Sequence, residues 1–109
     1  MAIPHAYHGM PVDLRPLSDA LAETETTALV KNEVFEAIRL VLRKGQEVCH
    51  DHEVDGMITL YCIEGRVALT ASGATHDLAA GHWVYLMRHD PHTLRAIEDS
   101  SVLLTVMFR

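Results

Sequence analysis

Three histidines are the residues of this sequence whose types and spacing best fit metal chemistry. His50 and His52 stand two residues apart, and His92 follows in a later segment. In a β-strand, residues i and i+2 point to the same side, so a His-x-His pair on a strand aims two imidazoles at one point. Imidazole nitrogen is the commonest protein ligand for transition metals. A third histidine from a neighbouring strand would complete a three-nitrogen site that leaves room for water or substrate.

Each of these histidines also has a purely structural interpretation. Half-buried histidines on strands are often hydrogen-bonded to the backbone, and His92 taken alone is a turn histidine. His89 is a weaker candidate for contact with a ligand, since turn histidines are usually solvated. The remaining histidines are expected at the surface, at a sheet edge or in the N-terminal arm, and they are His5, His8, His76 and His82.

The alternation of side chains along each strand predicts which way these histidines point. His50 and His52 share a strand face with Val48, and His92 shares one with Leu94. All three therefore lie on faces that carry apolar residues, and we expect them to point into the protein. The same alternation gives Ile58, Leu60, Cys62 and Leu94 as candidate substrate-pocket residues, and the turn residue His89 joins them as a possible contact to a ligand.

The elements that must position the site follow an irregular start. Residues 1–26 form an arm rich in proline, which removes a backbone donor and disfavours regular structure. Ser18 to Glu23 is a possible short helical turn with Ser18 as its cap. Residues 28–31 and 34–42 fit one helix or two strands, and we favour strands because the segments that follow are β. Residues 27–109 are then expected to form one all-β barrel.

Short apolar segments with regular turn signals make up the rest of the chain. The breaks fall at Glu64-Gly65, Ser72-Gly73, Ala80-Gly81, His89-Asp90-Pro91 and Asp99-Ser100. Strands of five to seven residues at this spacing indicate an antiparallel sandwich or barrel. Several aromatic and methionine side chains are candidates for core, pocket wall or dimer interface, namely Met57, Tyr61, Trp83, Tyr85 and Met87.

With these motifs in place, the chain resembles the cupin superfamily of small β-barrels with a jelly-roll core. In the first motif of that family a glycine precedes His-x-His and a second glycine closes the next strand, as Gly45, His50, His52 and Gly65 do here. In the second motif a glycine precedes a histidine, here Gly81 and His92. The resemblance covers roughly residues 27–108. It implies a cupin barrel, usually a homodimer, with a divalent metal at the three histidines.

The sequence departs from the family pattern at three positions. The family's metal-binding glutamate corresponds to Ile58, and a proline and a glycine of the second motif correspond to Met87 and His89. The site therefore has three nitrogens and no obvious carboxylate, although Glu53 and Asp55 lie in the neighbouring loop. Three-histidine sites occur in cupin dioxygenases that act on thiols, diketones and some aromatic acids, so a metal remains expected.

Two functions from different classes are consistent with this site. The first is a metal-dependent oxygenase acting on a small chelating substrate, with iron, nickel or zinc as the divalent metal. The alternative is a non-catalytic barrel that binds or senses a small molecule, with a structural metal or none. A third interpretation is a stability-only remnant whose histidines satisfy one another. The sequence leaves open whether the protein is an enzyme.

The composition limits the partners that these functions would involve. The chain has 109 residues, a length typical of one domain, and a net charge of −6, which argues against nucleic acid and anionic membranes as partners. With two cysteines and no apolar run long enough to span a membrane, we expect a soluble cytoplasmic protein. The expected partners are a small-molecule ligand and a second copy of the chain.

Overall fold

The computed structural model describes residues 7–50, 56–88 and 90–108, and for His50 it describes the backbone alone. Strands dominate this part of the chain, and a 3₁₀ helix at Ser18–Glu23 precedes them. The strands are β1 (Thr27–Lys31), β2 (Phe35–Leu42), β3 (Glu47–His50), β4 (Met57–Glu64), β5 (Arg66–Ala71), β6 (Ala74–Ala79), β7 (Trp83–Leu86), β8 (His92–Ala96) and β9 (Ser100–Met107).

The strands form two facing antiparallel sheets. The five-stranded sheet has the order β1-β2-β9-β4-β7, and the four-stranded sheet has the order β3-β8-β5-β6. Within the described ranges the strand ladders stay inside each sheet, so the molecule is a two-layer jelly roll and its barrel is not closed by hydrogen bonds. The prediction of an all-β cupin-type jelly roll is confirmed.

Alternate residues of both sheets meet in a single apolar core. The largest fully buried side chains include Leu42 and Leu60 from the five-stranded sheet and Leu69 and Leu94 from the four-stranded sheet. Burying a leucine side chain contributes roughly 1.5–3 kcal/mol, so this interface between the sheets is the main stabilising feature of the fold. The strict alternation also fixes the register, because a slip by one residue would turn these side chains to solvent.

The segment with ambiguous propensity forms two strands, as predicted. β1 and β2 pair antiparallel, with Thr27 opposite Arg39. The turn between them is held by Asn32, whose Oδ1 accepts hydrogen bonds from the backbone N–H groups of Val34 and Phe35. This Asx-type turn ends β1 and starts β2, which explains why residues with mixed propensity do not continue as a helix.

The predicted helical turn exists, but the expected cap is wrong. The residue at the N-cap position is Leu17, and no side chain caps the helix. Ser18 lies inside the element with φ 53, a left-handed conformation that a capping serine does not adopt. The backbone N–H groups of Leu17 and Ser18 instead donate to the carboxylate of Glu64, at 2.8 and 3.0 Å, which ties the arm to β4.

The two ends of the sandwich differ in how the strands connect. At one end, here called the closed end, short links join the sheets at residues 43–46, 64–66 and 97–99. At the other, the open end, are the turns at residues 32–34 and 72–73, and β4 begins and β7 ends there. β3 ends at the open end with His50, and β8 begins there with His92. Two of the three predicted metal ligands, His50 and His92, therefore belong to the open end.

Candidate metal site

His92 points into the sandwich, as its strand face predicted. It is the first residue of β8 and is 5% exposed, and Leu94 and Ala96 follow it on the same buried face. In the register of the four-stranded sheet, His92 lies between His50 of β3 and Ala71 of β5. Directly opposed residues on neighbouring strands have side chains on the same face. The sheet thus brings the positions of two predicted ligands side by side on its inner surface.

The hydrogen bonding of His92 suits a metal ligand. Its Nδ1 lies 3.2 Å from the backbone carbonyl oxygen of Asp90. When Nδ1–H donates to that carbonyl, the lone pair is on Nε2, the ring atom farther from the backbone. Metal-binding histidines almost always use their second nitrogen in this way, which fixes the tautomer and the ring orientation.

A serine from another loop holds the segment that precedes His92. Ser72 donates a hydrogen bond from Oγ to Oδ2 of Asp90 at 2.9 Å. Ser72 and Gly73 have φ values of 52 and 77, as expected for a two-residue hairpin turn with left-handed central positions. This contact joins the β5–β6 hairpin to the carbonyl that faces His92. The sequence marked both segments as turns, but nothing in it indicated that they meet.

The apolar candidates for the substrate pocket lie on the inner surface. Ile58 is 3% exposed, while Leu60 and Leu94 are each 1% exposed, and all belong to the core. Ile58 pairs with Leu86 and with Val106, which places it in the inward-facing row of the five-stranded sheet that is nearest the open end. Their role in a substrate pocket remains a prediction.

Cys62 lies deeper in the same core. Burial raises the pKa of its thiol to about 11, and its Sγ lies 3.5 Å from the carbonyl oxygen of Glu64. A thiol with this pKa stays protonated at neutral pH and is a poor nucleophile. Cys62 therefore fits the interpretation of a small core residue. Cys49, on the opposite strand face from His50, is exposed as predicted.

Several predicted site residues fall outside the described part of the chain. They are His52, Glu53, Asp55 and His89, together with the side chain of His50. Within residues 7–50, 56–88 and 90–108, no cluster of three or more histidine, cysteine or acidic side chains is arranged to hold a metal ion. The three-histidine ligand set therefore stays a prediction, of which the structure describes the whole of His92 and the backbone of His50.

The other described histidines lie where the sequence placed them, and His5 falls outside the described residues. His8, His76 and His82 are exposed. His82 has a structural role, because its Nδ1 accepts a hydrogen bond from the backbone N–H of Ala79 at 3.0 Å in the turn before β7. In the described segments, no helix has the length and apolar character needed to cross a bilayer.

The fold agrees with the family to which the sequence is similar. A family model described as cupin domain matches residues 39–108. That range is more than half of the chain and includes His50, His52 and His92, so the protein belongs to the cupin domain family. No curated protein sequence matches the chain.

Solved structures confirm the fold along the whole chain. A conserved protein of unknown function from Streptococcus pyogenes is 23% identical with a TM-score of 0.76, and the alignment covers 100% of this chain and 96% of that one. A cupin superfamily protein from Desulfitobacterium hafniense is 13% identical with a TM-score of 0.77, and both chains are covered completely. KdgF from a Halomonas species is 20% identical with a TM-score of 0.70, covering 77% and 79% of the two chains. At these identities the similarity shows the fold.

Proposed function

We propose that the protein binds a divalent transition metal through His50, His52 and His92 and uses it to hold a small chelating ligand at the open end. One observation carries the proposal. His92 is buried on the inner face with Nδ1 against the carbonyl of Asp90, and its register partner is His50. In metal-binding histidines a backbone carbonyl commonly holds one ring nitrogen in this way while the other nitrogen serves as the ligand.

The donor set determines the chemistry that a metal would supply. Three neutral imidazoles leave the full charge of the ion, which makes it a strong Lewis acid and a good receptor for an anionic chelating group. The inner surface beside the site carries Ile58, Leu60 and Leu94, all buried. The ligand that fits is small, with one chelating end and an apolar remainder.

Two forms of this function differ in whether turnover occurs. With iron, the protein would be an oxygenase for a chelating substrate, since a site of this kind has open positions. In the non-catalytic form, the protein would be a binding or sensing module that holds the same kind of ligand without turnover. Iron, nickel and zinc remain the candidate metals.

Metal content of the purified protein tests the proposal. We expect near-stoichiometric metal in the wild type by elemental mass spectrometry and a strong loss in His92→Ala, because the variant removes one of three ligands. His76→Ala is the matched control, since His76 is exposed on the edge strand β6. Circular dichroism should show both variants folded. Full metal retention in His92→Ala would refute the assignment.

The same preparations separate the two forms of the function. Iron-loaded protein is mixed with small chelating acids, and oxygen consumption and melting temperature are both recorded. Consumption that is lost in His92→Ala supports the oxygenase. A ligand-dependent rise in melting temperature without consumption supports the binding module.

We further propose that the protein is a homodimer formed through the outer face of the five-stranded sheet. Tyr61 pairs with Trp83 across β4 and β7, and Tyr85 follows on the same face. Their exposed fractions are 37%, 58% and 53%, which excludes the core alternative for them and leaves the alternatives of pocket wall and dimer interface. Between the open end and Tyr61, the residues of this face on β4, β7 and β9 carry no charge, and they are Met57, Thr59, Tyr61, Trp83, Tyr85, Leu103, Thr105 and Met107.

The lack of charge on this face favours a second copy of the chain as its partner. The protein has a net charge of −6, and two copies meeting at this face bring no carboxylates together. Exposed clusters of aromatic and methionine side chains are typical of protein interfaces. Sedimentation velocity should give a dimer for the wild type and for Thr75→Glu, which alters the exposed strand β6, and a monomer for Trp83→Glu. A monomeric wild type would end this proposal.

A further inference from the structure

A glutamate of β2 lies in the same inward row as Ile58. In the register of the five-stranded sheet, Glu36 pairs with Val106, Val106 pairs with Ile58, and Ile58 pairs with Leu86. Among the inward-facing rows of this sheet it is the one nearest the open end, where β3 ends and β4 begins. Glu36 therefore lies at the same end of the sandwich as His50 and His92, on the sheet that faces them.

The side chain of Glu36 points to the inner surface. Residues two, four and six positions further along β2 are Ile38, Leu40 and Leu42, and all three pack in or against the core. By the alternation of the strand, Glu36 shares their face, and it is half-buried. Lys31 opposes it across β1 and is exposed. Lys31 is thus the neighbouring cation in the described structure.

The carboxylate of Glu36 lacks compensation in the described structure. Among residues 7–50, 56–88 and 90–108, no side chain or backbone group forms a hydrogen bond or ion pair with it, Lys31 included. Taking a carboxylate partly out of water beside apolar residues is costly without a partner. By contrast, the carboxylate of Glu64 accepts three hydrogen bonds. An uncompensated inward carboxylate marks a place where a cation would be stabilised.

We propose that Glu36 provides the carboxylate ligand of the metal site and replaces the glutamate whose position is taken by Ile58. This inference rests on the proposed function, because it adds a ligand to the same metal. Facing sheets lie about 10 Å apart, and metal–ligand bonds are about 2 Å long. A glutamate from one sheet and histidines from the other can thus share one ion.

The fourth ligand changes the electrostatics of the site. A carboxylate cancels one unit of the ion's charge, which the three imidazoles leave intact. It also gives Glu36 the partner that the described residues do not provide. The proposed ligands are then three histidine nitrogens and one glutamate oxygen. In the family pattern the His-x-His pair and the glutamate belong to one segment, whereas here the glutamate would come from β2.

Metal affinity and the cobalt spectrum test this role without any activity assay. Apo-protein is titrated with Zn²⁺ against a chromophoric chelator, and with Co²⁺ while visible absorption is recorded. The variants are Glu36→Gln, Glu36→Asp and the control Glu33→Gln, which changes an exposed glutamate of the β1–β2 turn. We expect Zn²⁺ affinity to fall roughly tenfold or more in Glu36→Gln, by analogy with the loss on removing groups that support metal ligands. We expect its Co²⁺ absorption bands to shift, while Glu33→Gln matches the wild type.

The outcomes separate this inference from the proposed function. If the wild type binds neither Zn²⁺ nor Co²⁺, both are overturned. If the wild type binds metal and Glu36→Gln keeps its affinity and spectrum, only the role of Glu36 is overturned. Should Glu36→Gln fail to fold, Glu36→Asp decides, since a shortened carboxylate should also weaken Zn²⁺ binding and shift the Co²⁺ bands.

Discussion

Two glutamates at opposite ends of the sandwich, Glu64 at the closed end and Glu36 at the open end, differ in their hydrogen bonding. At the closed end, Glu64 accepts hydrogen bonds from Ser101 Oγ at 2.6 Å and from the backbone of the arm. At the open end, Glu36 lacks any such partner within the described residues, although it is half-buried. The difference suggests that one end maintains the fold while the other retains unsatisfied groups for a ligand.

Close packing adds to the rigidity of the closed end. Gly65 links β4 to β5 with φ +83, and a Cβ at this position would overlap Ser100 Oγ and the carbonyl oxygen of Asp99. Ser100 is fully buried, and its Oγ accepts from the backbone N–H of Arg66 at 2.9 Å and donates to the carbonyl of Glu98 at 2.7 Å. The β4–β5 connection at Gly65 is therefore packed directly against the β8–β9 connection that ends at Ser100. Only a residue without a side chain fits at position 65.

The largest effect is expected for Gly65→Ala. The left-handed backbone costs a non-glycine residue about 1 kcal/mol, and forcing a methyl group into a packed site costs about 2 kcal/mol more. The new Cβ would lie 2.8 Å from Ser100 Cα, which belongs to the backbone and cannot rotate away. We expect the free energy of unfolding, measured with urea, to fall by about 3 kcal/mol.

Gly73→Ala is the matched control at the open end. Gly73 has φ +77, but nothing lies within 4 Å of a Cβ built there. The variant should therefore lose only the conformational part, about 1 kcal/mol. Equal losses in the two variants would show that packing at the closed end is unimportant and would remove the contrast between the ends.

The sequence predicted the parts of this architecture that depend on local patterns. Turn residues and the period of two gave the strands after residue 45 and the inward face of His92, because both are local properties. Asp90, Ser72 and Glu36 were missed as members of the site's surroundings. Their importance arises from which strands are neighbours, and strand order is set by the packing of the whole chain.

The exposure of Trp83 and Tyr85 on the outer face could not be predicted from the sequence either. Trp83 and Tyr85 are large and partly apolar, so their types suggest burial, yet they belong to the outer face of β7. Alternation predicts that they share a face, but it does not say which face of the sheet is covered. Similarly, Glu64 was identified only as part of a turn, since its hydrogen bonds come from Ser101 and from an arm distant in sequence.

A smaller and pH-dependent effect is expected for Glu64→Gln. Burial acts to raise the pKa of Glu64, but the hydrogen bonds from Ser101, Leu17 and Ser18, with the charge of Arg39, outweigh it and lower the pKa overall. A carboxyl whose pKa is lowered by folding stabilises the folded state above its unfolded pKa of about 4.3, and this contribution disappears as the pH falls through the folded pKa. Hydrogen bonds to a charged group contribute about 2 kcal/mol, which we expect Glu64→Gln to lose at pH 7.

Urea unfolding at a series of pH values checks this expectation and the comparison behind it. The gap between wild type and Glu64→Gln should be largest near pH 7 and should narrow below about pH 4, because the wild-type carboxyl then becomes protonated and neutral like the amide. Glu25→Gln, which changes an exposed glutamate of the arm, should follow the wild type at every pH. A gap that stays constant with pH would mean that the charge of Glu64 does not stabilise the fold. Packing alone would then stabilise the closed end. The contrast between the carboxylates of Glu64 and Glu36 would no longer distinguish the end that maintains the fold from the end proposed to bind the ligand.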